Sequence, residues 1–124
     1  MQAKSLYILL VEDHADSAAA LAHILERLGH HVEIANDTAS AVRSFVFKHC
    51  DLLLIDIKLP DGDGCDLLKE LSAIRQVPAI ALTGLGKEDI ERTKDVGFLQ
   101  YLQKPVEIEK LKEAINAVQS RITR

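Results

Sequence analysis

A chain of 124 residues has room for one domain of ordinary size, and residues 1–124 are read as a single unit. Hydrophobic residues at 48% and charged residues at 27% exclude the weakly apolar, highly charged compositions that stay disordered. With 15 Lys and Arg against 19 Asp and Glu, the net charge of −4 provides no basic field for a phosphate backbone or an anionic bilayer, so direct nucleic-acid binding and membrane binding are excluded as first readings.

An apolar run over 6–11 predicts a first strand. Ala18, Leu21, Ala22, Leu25 and Leu28 then step by three and four, the spacing of one helix face, and Gly29 is the stop. Residues 31–35 alternate at period two, and Asn36-Asp37-Thr38 offers caps to a helix carrying Ala41, Val42, Phe45 and Val46. The unbroken apolar run 52–55 fits a strand covered on both faces, and it ends at Asp56 before the turn-rich Pro60-Asp61-Gly62-Asp63-Gly64. A helix through Leu67, Leu68 and Leu71 follows.

Residues 77–82 form the fourth strand candidate, with Pro78 tolerable near its start and a break at Thr83-Gly84-Leu85-Gly86. The segment 87–96 has little apolar face beyond Ile90 and Val96, so a loosely held helix is expected there. Residues 98–102 make a fifth strand, and Ile108, Leu111, Ile115, Val118 and Ile122 mark a final amphipathic helix. Five strands strictly alternating with five helices define an α/β fold around a parallel sheet, with helices on both faces. All the apolar runs are far shorter than the ~18 residues of a membrane span. The amino terminus lacks a secretory signal pattern, so a cytoplasmic location is expected. Cys50 and Cys65 are read as reduced, partly buried side chains.

Ligands of such sheets bind outside the carboxyl ends of the strands. The residues just after the strands are Glu12-Asp13, Asp56, Thr83 and Lys104. Crowded carboxylates repel, and a hard divalent cation with oxygen ligands relieves them, which points to Mg²⁺. A carboxylate beside such an ion can attack phosphorus, and Asp56 is the best candidate. Lys104 and Thr83 then supply the ammonium and the hydroxyl that a transferred phosphoryl group requires.

Other motifs fail. The run from Asp61 looks like a calcium loop, but Cys65, Asp66 and Ser72 occupy the positions that need Asp or Asn, Gly and Glu. Gly84-Leu85-Gly86 starts like a dinucleotide fingerprint, but its third glycine position is Asp89. The histidines at 14, 23, 30, 31 and 49 show no metal-ligand spacing and are read as surface or helix-end residues.

Taken together, Glu12-Asp13 after an apolar strand, the run from Asp56 to Gly64, Thr83-Gly84 and Lys104-Pro105 resemble the successive motifs of the receiver domain of two-component response regulators. The resemblance covers nearly the whole chain. It implies a flavodoxin-like doubly wound (βα)5 fold with sheet order 2-1-3-4-5. It implies that Asp56 is a phosphoacceptor served by a sensor histidine kinase or a histidine phosphotransfer protein, a signalling role in which the protein catalyses only its own phosphorylation and dephosphorylation. Glu12, Asp13, Asp56 and the backbone carbonyl of Lys58 would hold Mg²⁺, with Lys104 and Thr83 on the phosphoryl oxygens. Tyr101 matches the switch aromatic, and the surface of fourth helix, fifth strand and fifth helix would meet a downstream protein target.

Two alternatives stand beside it. A haloacid-dehalogenase-type phosphohydrolase wants an Asp two places after its nucleophile, where this chain has Lys58; a phosphorylation-independent pseudo-receiver lacks an acid, the acceptor or the lysine. The stretch from Val96 to Tyr101 also lacks the acidic pair that winged-helix regulators carry before the aromatic. With the last helix so near Arg124, the expectation is a free-standing receiver or one excised from a hybrid kinase. Lys58 and Leu85 are expected to line the mouth through which water reaches the phosphoryl group, and to slow its loss.

Overall fold

The computed structural model describes residues 5–84 and 87–122. Along the chain run β1 (Tyr7–Val11), α1 (Ala15–Arg27), β2 (His31–Ala35), α2 (Thr38–Phe47) and β3 (Leu52–Asp56). There follow β4 (Lys58–Leu59), β5 (Gly62–Asp63), α3 (Gly64–Ile74), β6 (Ala79–Thr83), α4 (Lys87–Val96), β7 (Gln100–Gln103) and α5 (Ile108–Ile122). The main sheet has the order β2-β1-β3-β6-β7 with every pair parallel, which is 2-1-3-4-5 when only its own strands are counted. The expected fold class is the observed one.

Period-two alternation sorts the strand side chains between two cores. Ile8, Leu10, Leu52, Leu54, Ile80 and Leu82 face one layer with Leu25 of α1 and Leu111, Ile115 and Val118 of α5. Leu9, Val11, Leu53, Ile55, Ala79 and Ala81 face the other with Phe45 of α2 and Leu67 and Leu71 of α3. Because β3 is central and covered on both sides, all five of its residues are buried, the carboxyl-terminal Asp56 included. Among the described residues no helix is long and apolar enough to cross a membrane. Both cysteines are free and buried.

Strict alternation of strands and helices does not hold between β3 and α3. There β4 and β5 pair antiparallel, Lys58 with Asp63 and Leu59 with Gly62, as the chain folds back through Pro60-Asp61. This hairpin lies against the end of β3, and a Cβ on Gly64 would stand 2.4 Å from the Asp56 carbonyl oxygen and 2.9 Å from the Ile57 Cα, so only glycine fits. The hairpin also reaches outward. Asp61 accepts from the Thr38 amide and hydroxyl, each at 2.8 Å, and from the Ala39 amide at 3.3 Å, while the α2 cap Asp37 accepts from Ser40 N at 2.8 Å. The first amides of α2, which have no partner within the helix, are thus satisfied from two places. Asp63 caps α3 through Cys65 N at 2.7 Å and pairs with Arg92 of α4 at 2.5 Å.

Three smaller expectations need correction. The last strand begins at Gln100 rather than 98, because Phe98 is still tied to Thr93 O at the end of α4. The fourth strand of the main sheet, β6, runs Ala79–Thr83 rather than 77–82, so Thr83 ends the strand instead of breaking it, whereas α4 has the expected bounds, with buried Thr93 donating its hydroxyl to Ile90 O at 2.6 Å. His30 is no surface residue. It is buried, its Nδ1 accepts from Leu6 N at 3.0 Å, and burial followed by the neighbouring His31 lowers its pKa.

Candidate functional site at the carboxyl ends of the strands

Backbone hydrogen bonds to a neighbouring strand fix the chain at the ends of β1, β3 and β7. Glu12 N donates to Ala35 O at 3.0 Å, Ile57 N to Leu82 O at 3.0 Å, and Lys104 N to Thr83 O at 2.8 Å. The side chains that follow are therefore placed by the sheet rather than by flexible loops. Lys104 Nζ lies 2.6 Å from Asp56 Oδ2 and 3.0 and 3.2 Å from the two Glu12 oxygens. The other Asp56 oxygen, Oδ1, accepts from the Lys58 amide at 3.1 Å.

Glu12 is fully buried and Asp56 nearly so. Burial, reinforced by Asp56, raises the Glu12 pKa to about 7 despite Lys104. Burial works against the Lys104 ammonium, but its hydrogen bonds to Asp56 and Glu12 outweigh this and hold its pKa above the ordinary lysine value. Two carboxylates and one ammonium thus share a poorly solvated space, with acidic character left over.

Asp13 Oδ1 is buried and has no hydrogen-bond partner. The His14 Nδ1 lies 3.4 Å away, within ion-pair range but without hydrogen-bond geometry. One ligand atom each from Glu12, Asp13, His14 and Asp56 falls within 4.8 Å of the others. An orphaned carboxylate oxygen beside two further acids fits a divalent cation, so the residues present suit a metal site.

Thr83 is buried at the end of β6, one residue beyond the Asp56–Leu82 register pair. Tyr101 points outward from β7 and is 39% exposed; a cavity of about 250 Å³ lined by Thr93, Phe98, Leu99 and Tyr101 lies beside it. The Lys58 side chain is exposed, and Leu85 lies outside the described residues. A larger cavity of about 630 Å³, lined by Tyr7, His31, Phe45, Lys48, His49 and Cys50 among others, contains none of the acidic cluster.

His14 is the residue that sequence spacing missed. Distant-ligand patterns search for histidines spaced apart, whereas this one acts as the direct neighbour of an acid. A usable signal existed. His14 takes the N-cap of α1, where Ser, Thr, Asp or Asn are favoured, and its side chain makes no capping hydrogen bond.

The family model for the response regulator receiver domain matches residues 8–116, and the chain belongs to that family. It is a receiver domain of two-component response regulators, a signalling module for which the family implies phosphoacceptor function and a kinase partner. It is 35% identical over 116 residues to the transcriptional regulatory protein PdtaR of Mycobacterium tuberculosis, covering 92% of this chain and 57% of that protein. It is 36% identical over 120 residues to the phosphate regulon transcriptional regulatory protein PhoB of Escherichia coli, covering 94% and 52% respectively. The chain thus spans about half the length of these curated relatives. A CheY-like receiver domain protein from Methanospirillum hungatei superposes with a TM-score of 0.89 at 30% identity, covering 95% of this chain and 96% of that one. The dehalogenase-type alternative has no support beside these matches.

Proposed function

We propose that residues 1–124 act as one receiver unit in which Asp56 takes a phosphoryl group from a histidine kinase or histidine phosphotransfer protein. The observation that carries this reading is the convergence of Lys104 on Asp56 and Glu12, beside the unpartnered oxygen of Asp13. Glu12, Asp13, Asp56 and the Lys58 carbonyl would hold Mg²⁺, which when bound supplies charge neutralisation for the incoming phosphoryl oxygens.

An Asp56 carboxylate oxygen forms the new bond to phosphorus as the donor's P–N bond breaks and the leaving imidazole takes up a proton. Lys104 holds the acceptor in place and stays to balance the added charge. Thr83, at the end of the neighbouring strand, donates its hydroxyl to the phosphoryl oxygens once they are present. Tyr101 then turns from its exposed position toward the cavity beside it, changing the surface formed by α4, β7 and α5 that meets the downstream protein. Such a switch operates only if the phosphoryl contacts favour one of two existing states. A cytoplasmic location follows from a kinase-dependent role of this kind.

Incubation with a small-molecule phosphodonor such as acetyl phosphate, with and without Mg²⁺, tests this by intact mass. A gain of one phosphoryl unit is expected for the wild type in Mg²⁺, and none without metal or in Asp56→Asn. A gain that persists in Asp56→Asn would overturn the assignment.

A further inference from the structure

We infer that His14 is a fourth side-chain ligand of the cation site, making this receiver bind nitrogen-accepting transition ions such as Co²⁺ in strong preference to Mg²⁺. The inference rests on Glu12, Asp13 and Asp56 being the acidic ligands. His14 is placed for the role by backbone geometry, directly after Asp13 and at the extended N-cap of α1. Its imidazole is not spent on capping, and its Nδ1 stands 3.4 Å from the Asp13 oxygen that lacks a partner.

The spacing suits one shared ion. At metal–ligand distances of about 2.0–2.2 Å, opposite corners of an octahedron lie roughly 4.0–4.4 Å apart. The four candidate ligand atoms already lie within 4.8 Å of one another, so closure needs only a small movement. The His14 side chain is largely exposed and has the freedom to make it.

Charge favours a neutral fourth ligand. Three carboxylates against Lys104 and one divalent ion already sum to zero, so a further acid would leave the site negative, whereas an imidazole adds a donor without charge. Oxygen donors alone suit Mg²⁺, but imidazole nitrogen adds affinity for later first-row ions and little for Mg²⁺. The preference therefore comes from a residue outside the three acids.

The test uses the whole chain and His14→Ser, since serine is a favoured N-cap and keeps α1 intact. Calorimetric titration with Co²⁺ alone and Mg²⁺ alone should show Co²⁺ binding weakened by about tenfold or more in the variant, with Mg²⁺ changed less than about twofold. Pulsed electron paramagnetic resonance of the Mn²⁺-loaded wild type should show modulation from a directly bound nitrogen, absent in His14→Ser. An unchanged Co²⁺ to Mg²⁺ ratio, or nitrogen modulation that survives the substitution, overturns the inference. Mg²⁺ binding that survives Asp13→Asn would instead overturn the acidic-site reading beneath it.

Discussion

Lys104 and Asp56 are 48 positions apart, and their side chains meet at 2.6 Å because β7 and β3 flank β6 in the sheet. The lysine answers two acids at once, Asp56 and the fully buried Glu12. That arrangement gives opposite expectations for metal binding and for chemistry.

Replacing Lys104 with methionine keeps most of the side-chain volume and removes the charge. Without a competing ammonium the acids should bind Mg²⁺ more tightly, by a few-fold. Phosphorylation of Asp56 should slow by about a hundredfold or more, the scale of losing one electrostatic contact to a transferring group. Metal titration and acetyl phosphate kinetics on the same sample check both, and parallel losses would refute the opposition.

Glu12 contributes one falling limb to the pH dependence of the metal-free protein. Its folded pKa, raised to about 7 by burial and Asp56, exceeds the ordinary 4.5, so the folded state holds its proton more firmly than the unfolded chain does. The contribution is fully present below about pH 4.5 and is lost as pH rises toward about 7, a change of up to about 3 kcal/mol. Urea unfolding in chelator across that range should show the wild type losing stability relative to Glu12→Gln as pH rises, since buried His30, with its lowered pKa, titrates with the opposite sign in both proteins.

Gly64→Ala places a methyl group against the Asp56 carbonyl and the Ile57 Cα, both backbone atoms with nowhere to go. A loss of about 2 kcal/mol is expected. Gly84→Ala is the control, since a Cβ there meets nothing within 4 Å and the glycine lacks a positive φ. Denaturant midpoints that shift equally in the two variants would rule out the close-approach explanation.

Arg92→Ala cuts the Asp63 ion pair between the β4–β5 hairpin and α4, while Asp63→Ala also removes the α3 cap. The first should cost less than about 1 kcal/mol, as a partly exposed pair does, and the second about 1 kcal/mol more. Hydrogen exchange should nevertheless speed up in α4 in both, because its apolar hold on the sheet is thin.

The fold was legible because alternation and helical spacing agree at nearly every element. Residues 8–11 and 52–55 encode the two cores directly through period two. Strand ends were legible for a topological reason: a parallel sheet gathers whatever follows its strands. The β4–β5 hairpin was not, since two-residue strands carry no period. Nor was the burial of His30, whose place depends on a hydrogen bond to Leu6, 24 residues away. Tyr101 shows a third limit. Alternation tells which face a side chain takes but not whether a neighbouring helix covers it, and here α4 leaves the ring 39% exposed.

Asp61 and Asp63 fasten a four-residue bend to three separate helices, starting one, capping a second and latching a third. Surface bends elsewhere accept added or deleted residues with little harm. This one has no slack: lengthening it by a single residue would unclip distant parts of the molecule together, so natural variation in length should fall anywhere but here.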